Sequence, residues 1–200
     1  TLSSSSAASD VYKRQVCPHL ETSGAEYLNL LRAVRHVQGV KHVFVASGVR
    51  HDLVSLPSQR RLFRELLQYH VGGQMKIAPE HISSRPLKLM GKPPHKAYLE
   101  FRKRFDTLRE EVGKNLHVVP YLMVGHPGTS LEDALDLARF AKRLGHYAEQ
   151  VQTFTPTPMT ASTCMYWTRR DPATGGSVFV PSASEAAMQR ALAQYRDPRN

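Results

Sequence analysis

The chain has 200 residues, 41% of them hydrophobic and 8% aromatic, enough for one globular domain and too apolar for a wholly disordered chain. Its longest apolar run, about Val118 to Val124, contains Pro120 and falls far short of the roughly 18 to 20 residues of a membrane-spanning helix. Two cysteines, Cys17 and Cys164, form neither a disulfide framework nor a CxxC or Cys/His zinc array, which predicts a reducing, cytoplasmic setting; the 27 Lys and Arg against 17 Asp and Glu, +10 overall, suit an anionic partner without requiring one.

Thr1 to Gln15 carries no helical or strand period and resembles a translated library-adapter tail, so the native sequence is expected to begin near Val16. Without Lys13, Arg14 and Asp10, 25 basic against 16 acidic residues leave +9. From Cys17 onward helix and strand signals alternate. Ser23-Gly-Ala-Glu26 has the form of a capping box, followed by Tyr27, Leu30, Leu31 and Val34 on one helical face and Gly39 as a stop. A valine-rich strand is expected over Val40 to Ala46. The next helix begins at Pro57-Ser58, with Leu62, Phe63, Leu66 and Leu67 as its stripe and Gly72-Gly73 as its end. A strand over Gln74 to Ala78 leads into Pro79-Glu80-His81. The clearest helix steps through Tyr98, Phe101, Phe105, Leu108 and Val112 to Gly113. A third strand, Leu116 to Val124, ends at Gly125-His126-Pro127-Gly128. Ser130 and Asp133 then open a helix with Leu131, Ala134, Leu135, Ala138 and Ala141 toward Gly145. The fourth strand, Gln150 to Phe154, runs into Thr155-Pro156-Thr157-Pro158. After a Pro/Gly/Ser-rich stretch from Asp171 to Ser184, a last helix from about Glu185 to Tyr195 aligns Met188, Leu192 and Tyr195.

Strands alternating with helices every 35 residues or so predict βαβ units, parallel strands and an α/β fold. In such folds ligands bind at the carboxyl ends of the strands, so the four junctions at Ser47-Gly48-Val49-Arg50, Pro79-Glu80-His81, Gly125 to Gly128 and Thr155 to Pro158 are expected to face one cleft. His126-Pro-Gly128 lacks the glycine spacing of a Walker or dinucleotide loop; it is either a tight turn or a source of backbone amides for a ligand. Lys76 and Glu80 form either a structural ion pair or a site for an amino-acid-like ligand, and Arg50 with Asp52 carries the same two readings. The ten histidines show no HxH or HExxH pair. Cys164 reads as a small buried hydrophobe. Between residues 85 and 104, Arg85, Lys88, Lys92, Lys96, Arg102, Lys103 and Arg104 face a single acid, Glu100: a solvated face or a contact for RNA phosphates.

Cys17-Pro-His-Leu20, Ser47-Gly-Val-Arg-His-Asp52, Lys76-Ile-Ala-Pro-Glu-His81, Leu89-Met-Gly-Lys-Pro93, Tyr121 through His126-Pro-Gly128, Gln150-Val-Gln-Thr-Phe-Thr-Pro-Thr-Pro158, Ser162-Thr-Cys-Met-Tyr166 and Ala187-Met-Gln-Arg-Ala-Leu192 with Tyr195 together resemble the YgiQ-type radical SAM proteins. The resemblance covers nearly everything from Val16 onward. It implies a partial (β/α) TIM-like barrel that binds S-adenosylmethionine on a [4Fe–4S] cluster, whose reduced form cleaves the sulfonium to a 5′-deoxyadenosyl radical. It also implies cofactor contacts from Ser47, Arg50, Lys76, Glu80, His126, Pro127 and Gly128.

The chain departs from the family pattern in having no Cys-x3-Cys-x2-Cys loop for the cluster; Cys17 resembles the last of a different, downstream cysteine group. The expectation is therefore a C-terminal fragment of a cytoplasmic radical SAM enzyme, inactive alone and with no metal ligands of its own. Its expected parts are the tail at residues 1–15, the second half of the barrel at 16–168 and an extension with a terminal helix at 169–200. Met159 stands where the resemblance places glycine. An RNA-binding α/β module and a non-catalytic remnant are the alternatives.

Overall fold

The computed structural model describes residues 22–144 and 150–195; the tail, the Cys17-Pro-His-Leu20 motif and Gly145 lie outside them. The elements in chain order are α1 (Ala25–Arg35), α2 (His51–Val54), a 3-10 turn (Pro57–Gln59) leading into α3 (Arg60–Glu65) and a π-helical segment (Leu66–His70), and β1 (Gln74–Glu80). There follow α4 (Ser84–Met90), α5 (His95–Val112), β2 (His117–Val124), α6 (Leu131–Arg143), β3 (Val151–Thr153), α7 (Ala161–Thr168) and α8 (Ala183–Ala193). The described strands form one sheet of order β1-β2-β3. β2 and β3 run parallel, with Leu122 opposite Val151, Met123 opposite Gln152 and Val124 opposite Thr153. Sequential strands joined through helices make the fold α/β. No helix among the described residues is long and apolar enough to cross a membrane.

The described residues fall into two compact units. A helical unit comprises residues 22–78 and 96–120, and a strand-end unit comprises residues 79–95, 121–144 and 150–195. The core of the helical unit is aromatic. Phe63 stacks on Phe101 with ring centroids 5.4 Å apart, Phe105 lies 6.0 Å from Phe101, and the buried His51 ring meets Tyr98 and Phe101 edge-on. This is the stripe read from α5, and four of its members, Tyr98, Phe101, Phe105 and Leu108, are buried. In the strand-end unit α6 buries Ala134, Leu137, Ala138, Phe140 and Ala141, and its Ser130/Asp133 capping box forms as the sequence predicts.

Five sequence expectations require correction. No strand forms over residues 40–46. There the Val45 amide donates to the His70 carbonyl, Val49 donates to Lys76, and one parallel bridge joins Val49 to Ile77. Isolated bonds of this kind make no ladder, and β-propensity without consecutive pairing is too weak to define a strand. The sheet of the described residues therefore has three strands, where four were expected.

Helix α1 has no capping box, because Gly24, in the left-handed conformation, is itself the N-cap and Ser23 lies one residue too early. Its buried residues are Leu28 and Leu31, while Tyr27, Leu30 and Val34 are exposed. The face is set by contacts with the helical segment of residues 57–70, where Arg32 grips the Glu65 carboxylate through two hydrogen bonds and Arg35 lies over the Tyr69 ring.

Met188 of α8 and Tyr195, just beyond its end, are exposed, and Gln189 and Ala193 face inward. Cys164 is an exposed free thiol, since α7 turns the next residue, Met165, into the core.

Candidate functional site

The carboxyl ends of all three strands line a cavity of about 340 Å3 within the strand-end unit. Its walls include Glu80, Lys92, His126, Phe154, Thr160 and Ser162.

Alternation along β1 buries Met75, Ile77 and Pro79 and leaves Lys76 exposed and Glu80 half-buried. The strand ends in a three-residue turn. The His81 amide donates to the Pro79 carbonyl at 2.8 Å across Glu80, whose φ is +64°. A hydrogen-bonded three-residue turn with positive φ at its centre is the rare, strained form of the γ-turn, and for a non-glycine residue it persists only where its surroundings hold it. Here the turn carries the Glu80 carboxylate to the cavity, where Lys92 meets it at 3.0 Å. Lys92 is placed there by α4, which ends at Gly91 in the left-handed conformation and takes a bond from the Lys92 amide to Leu87.

After β2 the chain turns through Gly125, His126, Pro127 and Gly128 into the capped start of α6. At Gly128 φ is +88°, and a Cβ would lie 2.1 Å from Leu89 Cδ1, so the turn requires glycine both for its backbone and for its space. Three bonds from the C-terminal part of the chain brace this turn. The Gly125 amide donates to Gln189 Oε1 at 2.8 Å, Gln189 Nε2 donates to the Thr129 carbonyl at 3.0 Å, and the Gly128 amide donates to the Phe179 carbonyl at 2.6 Å.

The braced turn fixes His126. Its Nδ1–H donates to the Pro127 carbonyl at 2.7 Å, which leaves Nε2 as the acceptor for the Ser162 hydroxyl, also at 2.7 Å. Phe154 packs edge-on at 5.0 Å. Burial pushes the imidazole down to about 4, against the opposing pull of the Pro127 carbonyl, so the ring is neutral at ordinary pH. Ser162, whose proton is committed to His126, offers oxygen lone pairs to a donor in the cavity. The neighbouring His81, fully buried, is likewise pushed to about 4, chiefly by burial. It accepts the Ser83 amide at Nδ1, so its proton sits on Nε2, which has no hydrogen-bond partner among the described residues.

The residues singled out from sequence divide between the units. Glu80 and His126 share the strand-end cavity, with Pro127 and Gly128 forming its turn. Ser47 and Arg50 line a different cavity of about 320 Å3 inside the helical unit. There Arg50 is engaged by Asp52 through two hydrogen bonds. Burial raises the Asp52 carboxyl, and the hydrogen bonds and charge of Arg50 more than reverse this, holding it below the usual range. Lys76 is exposed and lines neither cavity; the cation that meets Glu80 is Lys92.

The basic segment is also divided. Arg85, Lys88 and Lys92 belong to the strand-end unit, while Lys96, Arg102, Lys103 and Arg104 belong to the helical unit, where Lys96 faces Glu100 at 3.9 Å and Arg102 faces Asp106 at 3.6 Å. Among the described residues no group of three or more His, Cys, Asp or Glu is placed to hold a metal ion.

Sequence reasoning missed the individual roles of Lys92, Ser162 and Gln189. The pattern gave no clear signal for Gln189, which sits beside Arg190 and looks like an ordinary surface residue, although a buried amide needs partners on both its oxygen and its nitrogen.

The stretch that braces the turn is matched by a known family. Residues 149–200, which contain β3, α7 and α8, match a family described as a domain of unknown function, DUF3362. UPF0313 proteins of Clostridium perfringens (strain SM101) and Methanosarcina acetivorans are 47% identical over 186 residues and 48% identical over 187, covering 92% and 93% of the chain. A UPF0313 protein of Methanocella arvoryzae is 44% identical over 185 residues, 92% of the chain. The chain spans 28%, 25% and 31% of the lengths of these three curated relatives. Similarity at this level over nearly the whole chain places it in the UPF0313 family, the YgiQ-type proteins that its motifs resemble.

Proposed function

We propose that this chain forms the S-adenosylmethionine-facing part of a cytoplasmic radical SAM enzyme, built as the second half of a partial (β/α) barrel. The observation that carries the reading is the cavity at the strand ends, where a paired cation and carboxylate lie with an aromatic ring, methionine side chains and hydroxyl groups. That mixture suits a zwitterionic amino acid joined to a nucleoside. Lys92 would take the ligand carboxylate, and Glu80, held at the strained turn, its ammonium or ribose hydroxyls. Ser162 would accept from a ligand donor, and Phe154 would pack against the base. His126, neutral and fixed in one tautomer, would orient Ser162.

When bound beside a reduced cluster, S-adenosylmethionine supplies the hydrogen-abstracting chemistry of such enzymes; the protein's part is to align it and exclude water. The residues present do not fit a [4Fe–4S] cluster, because a chain with two cysteines has no Cys-x3-Cys-x2-Cys loop.

Calorimetric titration of the 200-residue chain with S-adenosylmethionine tests the reading. Binding is expected, with Lys92→Ala weakening it about tenfold, the loss of one charge-assisted contact. Absence of binding, or binding indifferent to Lys92→Ala, overturns it. Anaerobic reconstitution with iron and sulfide is expected to give no stable cluster absorbance and no cofactor cleavage.

A further inference from the structure

The helical unit contains another cavity, of about 500 Å3, that the proposed function does not use. Arg35 from the last turn of α1, Lys41 from the segment after it and Lys114 from the approach to β2 bring three cations to its wall, and no aspartate or glutamate lines it among the described residues. Glu65, whose carboxyl feels the Arg35 charge, is itself held by the two hydrogen bonds from Arg32.

The same wall is aromatic. The Arg35 guanidinium lies 4.1 Å above the centre of the Tyr69 ring, and its Nη1 is buried without a hydrogen-bond partner among the described residues. His42 and Phe44, two residues apart in the chain, stack with centroids 5.3 Å apart and planes within 7° of parallel. Glycine at position 72 leaves room for this stack, since a Cβ there would meet the Phe44 ring at 3.2 Å. Phe44 nonetheless remains half exposed. Lys114 is anchored by donating to the Gln68 carbonyl, which keeps its charge at the cavity.

Cations without matching acids on the wall and an open ring stack are together complementary to a planar aromatic group bearing a phosphate. We infer that the cavity formed by Arg35, Lys41, His42, Phe44, Tyr69 and Lys114 is a binding site for a nucleotide unit, its base on the His42/Phe44 stack and its phosphate on Arg35 and Lys41. This site rests on different residues from the strand-end cavity and stands whether or not that cavity takes S-adenosylmethionine.

The 200-residue chain is titrated with adenosine 5′-monophosphate, adenosine, inorganic phosphate and single-stranded oligoadenylate at about 50 and 200 mM salt. The monophosphate is expected to bind at least about tenfold more tightly than adenosine or phosphate, because both halves of the ligand are recognised. Lys41→Glu and Phe44→Ala, both at exposed positions and so compatible with folding, are each expected to weaken it about tenfold. Hydrogen exchange is expected to slow at residues 41–44 and 68–73.

The oligonucleotide distinguishes the two sources of such a unit. Tighter binding with a log–log salt slope of about −2, as for three neutralised phosphates on a single strand, identifies a strand, and affinity equal to the monophosphate identifies a free nucleotide. Phosphate binding as tightly as the nucleotide, protection confined to residues 152–162, or no binding overturns the assignment.

Discussion

The strand-end cavity and the cationic cavity of the helical unit differ in how completely their polar groups are used. At the strand ends Glu80 has Lys92, both ring nitrogens of His126 are engaged, and the turn that carries His126 is braced by Gln189 and the Phe179 carbonyl. In the helical unit, among the described residues, Arg35 Nη1 has no hydrogen-bond partner and no acid lines the wall that carries the cations. A cavity whose charges are matched in advance is pre-organised for a ligand with both signs of charge, because a bound zwitterion exchanges one pairing for another. A cavity with surplus cations favours an anion. The difference also locates stability: the turn that carries His126 has its buried polar groups committed to one arrangement, so disturbing any of them leaves a partner stranded.

Acid should therefore break the strand-end arrangement with the largest effect. His81 and His126 ionise near 4 in the folded protein, against 6.5 for an ordinary histidine. Between those values the unfolded chain binds two protons that the folded chain refuses, so stability rises with pH across this window. The contribution is fully present above about 6.5 and is lost as pH falls toward 4, by roughly 3 kcal/mol for each histidine. Urea denaturation from pH 7 to pH 4 measures it, and His126→Gln should remove about half of the slope. Flat stability across the window would contradict the burial of both rings.

Next in size is Gly128→Ala. A non-glycine residue in the left-handed region costs about 1–2 kcal/mol, and the new methyl must push Leu89 aside, so a loss of about 3 kcal/mol is expected. The same substitution at Gly39, where φ is +86° and a Cβ would meet nothing within 4 Å, should cost less, since only the backbone term remains. Equal losses at the two positions would show that the close approach of Leu89 contributes nothing.

Smaller again is Ser162→Ala. It strands the Nε2 lone pair of a buried imidazole and should cost about 1–2 kcal/mol, while Ser162→Thr, which retains the hydroxyl, should recover part of that. The nitrogen chemical shifts of His126 distinguish this from a packing effect, because only the loss of the hydroxyl donor moves Nε2 while Nδ1 stays bonded to Pro127. An unchanged Nε2 shift would remove Ser162 as the partner of His126.

Much of this organisation was legible in the sequence. The helix of Tyr98, Phe101 and Phe105 and the cap at Ser130 are local signals, periodicity and capping chemistry, that need no tertiary partner to be read. The turn at Gly125 to Gly128 was legible for the same reason. The rotation of α1 was not, because it depends on Arg32 finding Glu65, 33 residues away. Nor was the strand expected over residues 40–46, because valine content reports propensity whereas a ladder depends on a neighbour's register. The residues around the strand-end cavity follow the same rule. Glu80 and His126 were legible because they follow strands, while Lys92, Ser162 and Gln189 were not singled out for this cavity because each meets a partner distant in sequence. Short helices such as α2, α4 and α7 escaped notice because four to eight residues are too few to display a period.

Met159 gives the smallest effect and the sharpest test of how far the strand-end unit is over-determined. The residue is fully exposed and has φ +64°, so its side chain contributes no burial to offset a backbone conformation that favours glycine. The left-handed conformation costs a non-glycine residue about 1–2 kcal/mol, while glycine loses roughly 0.5–1 kcal/mol more backbone freedom on folding. Met159→Gly should therefore stabilise the chain by about 0.5–1 kcal/mol, read as a small rise in the denaturation midpoint at unchanged m-value. The turn is held on its far side by Thr160, whose hydroxyl caps α7 by accepting the Thr163 amide and donates to the Thr157 carbonyl at 2.9 Å. With that cap intact, glycine relieves strain without moving Ser162, and affinity for S-adenosylmethionine should stay the same. Glu80 shares the positive φ but has its carboxylate engaged with Lys92. Glu80→Gly should thus gain the same backbone relief and lose the proposed cofactor binding, so the pair of substitutions separates strain that a side chain uses from strain that it merely bears. A loss of binding in Met159→Gly would place the turn at residue 159, rather than Glu80, in control of the cavity.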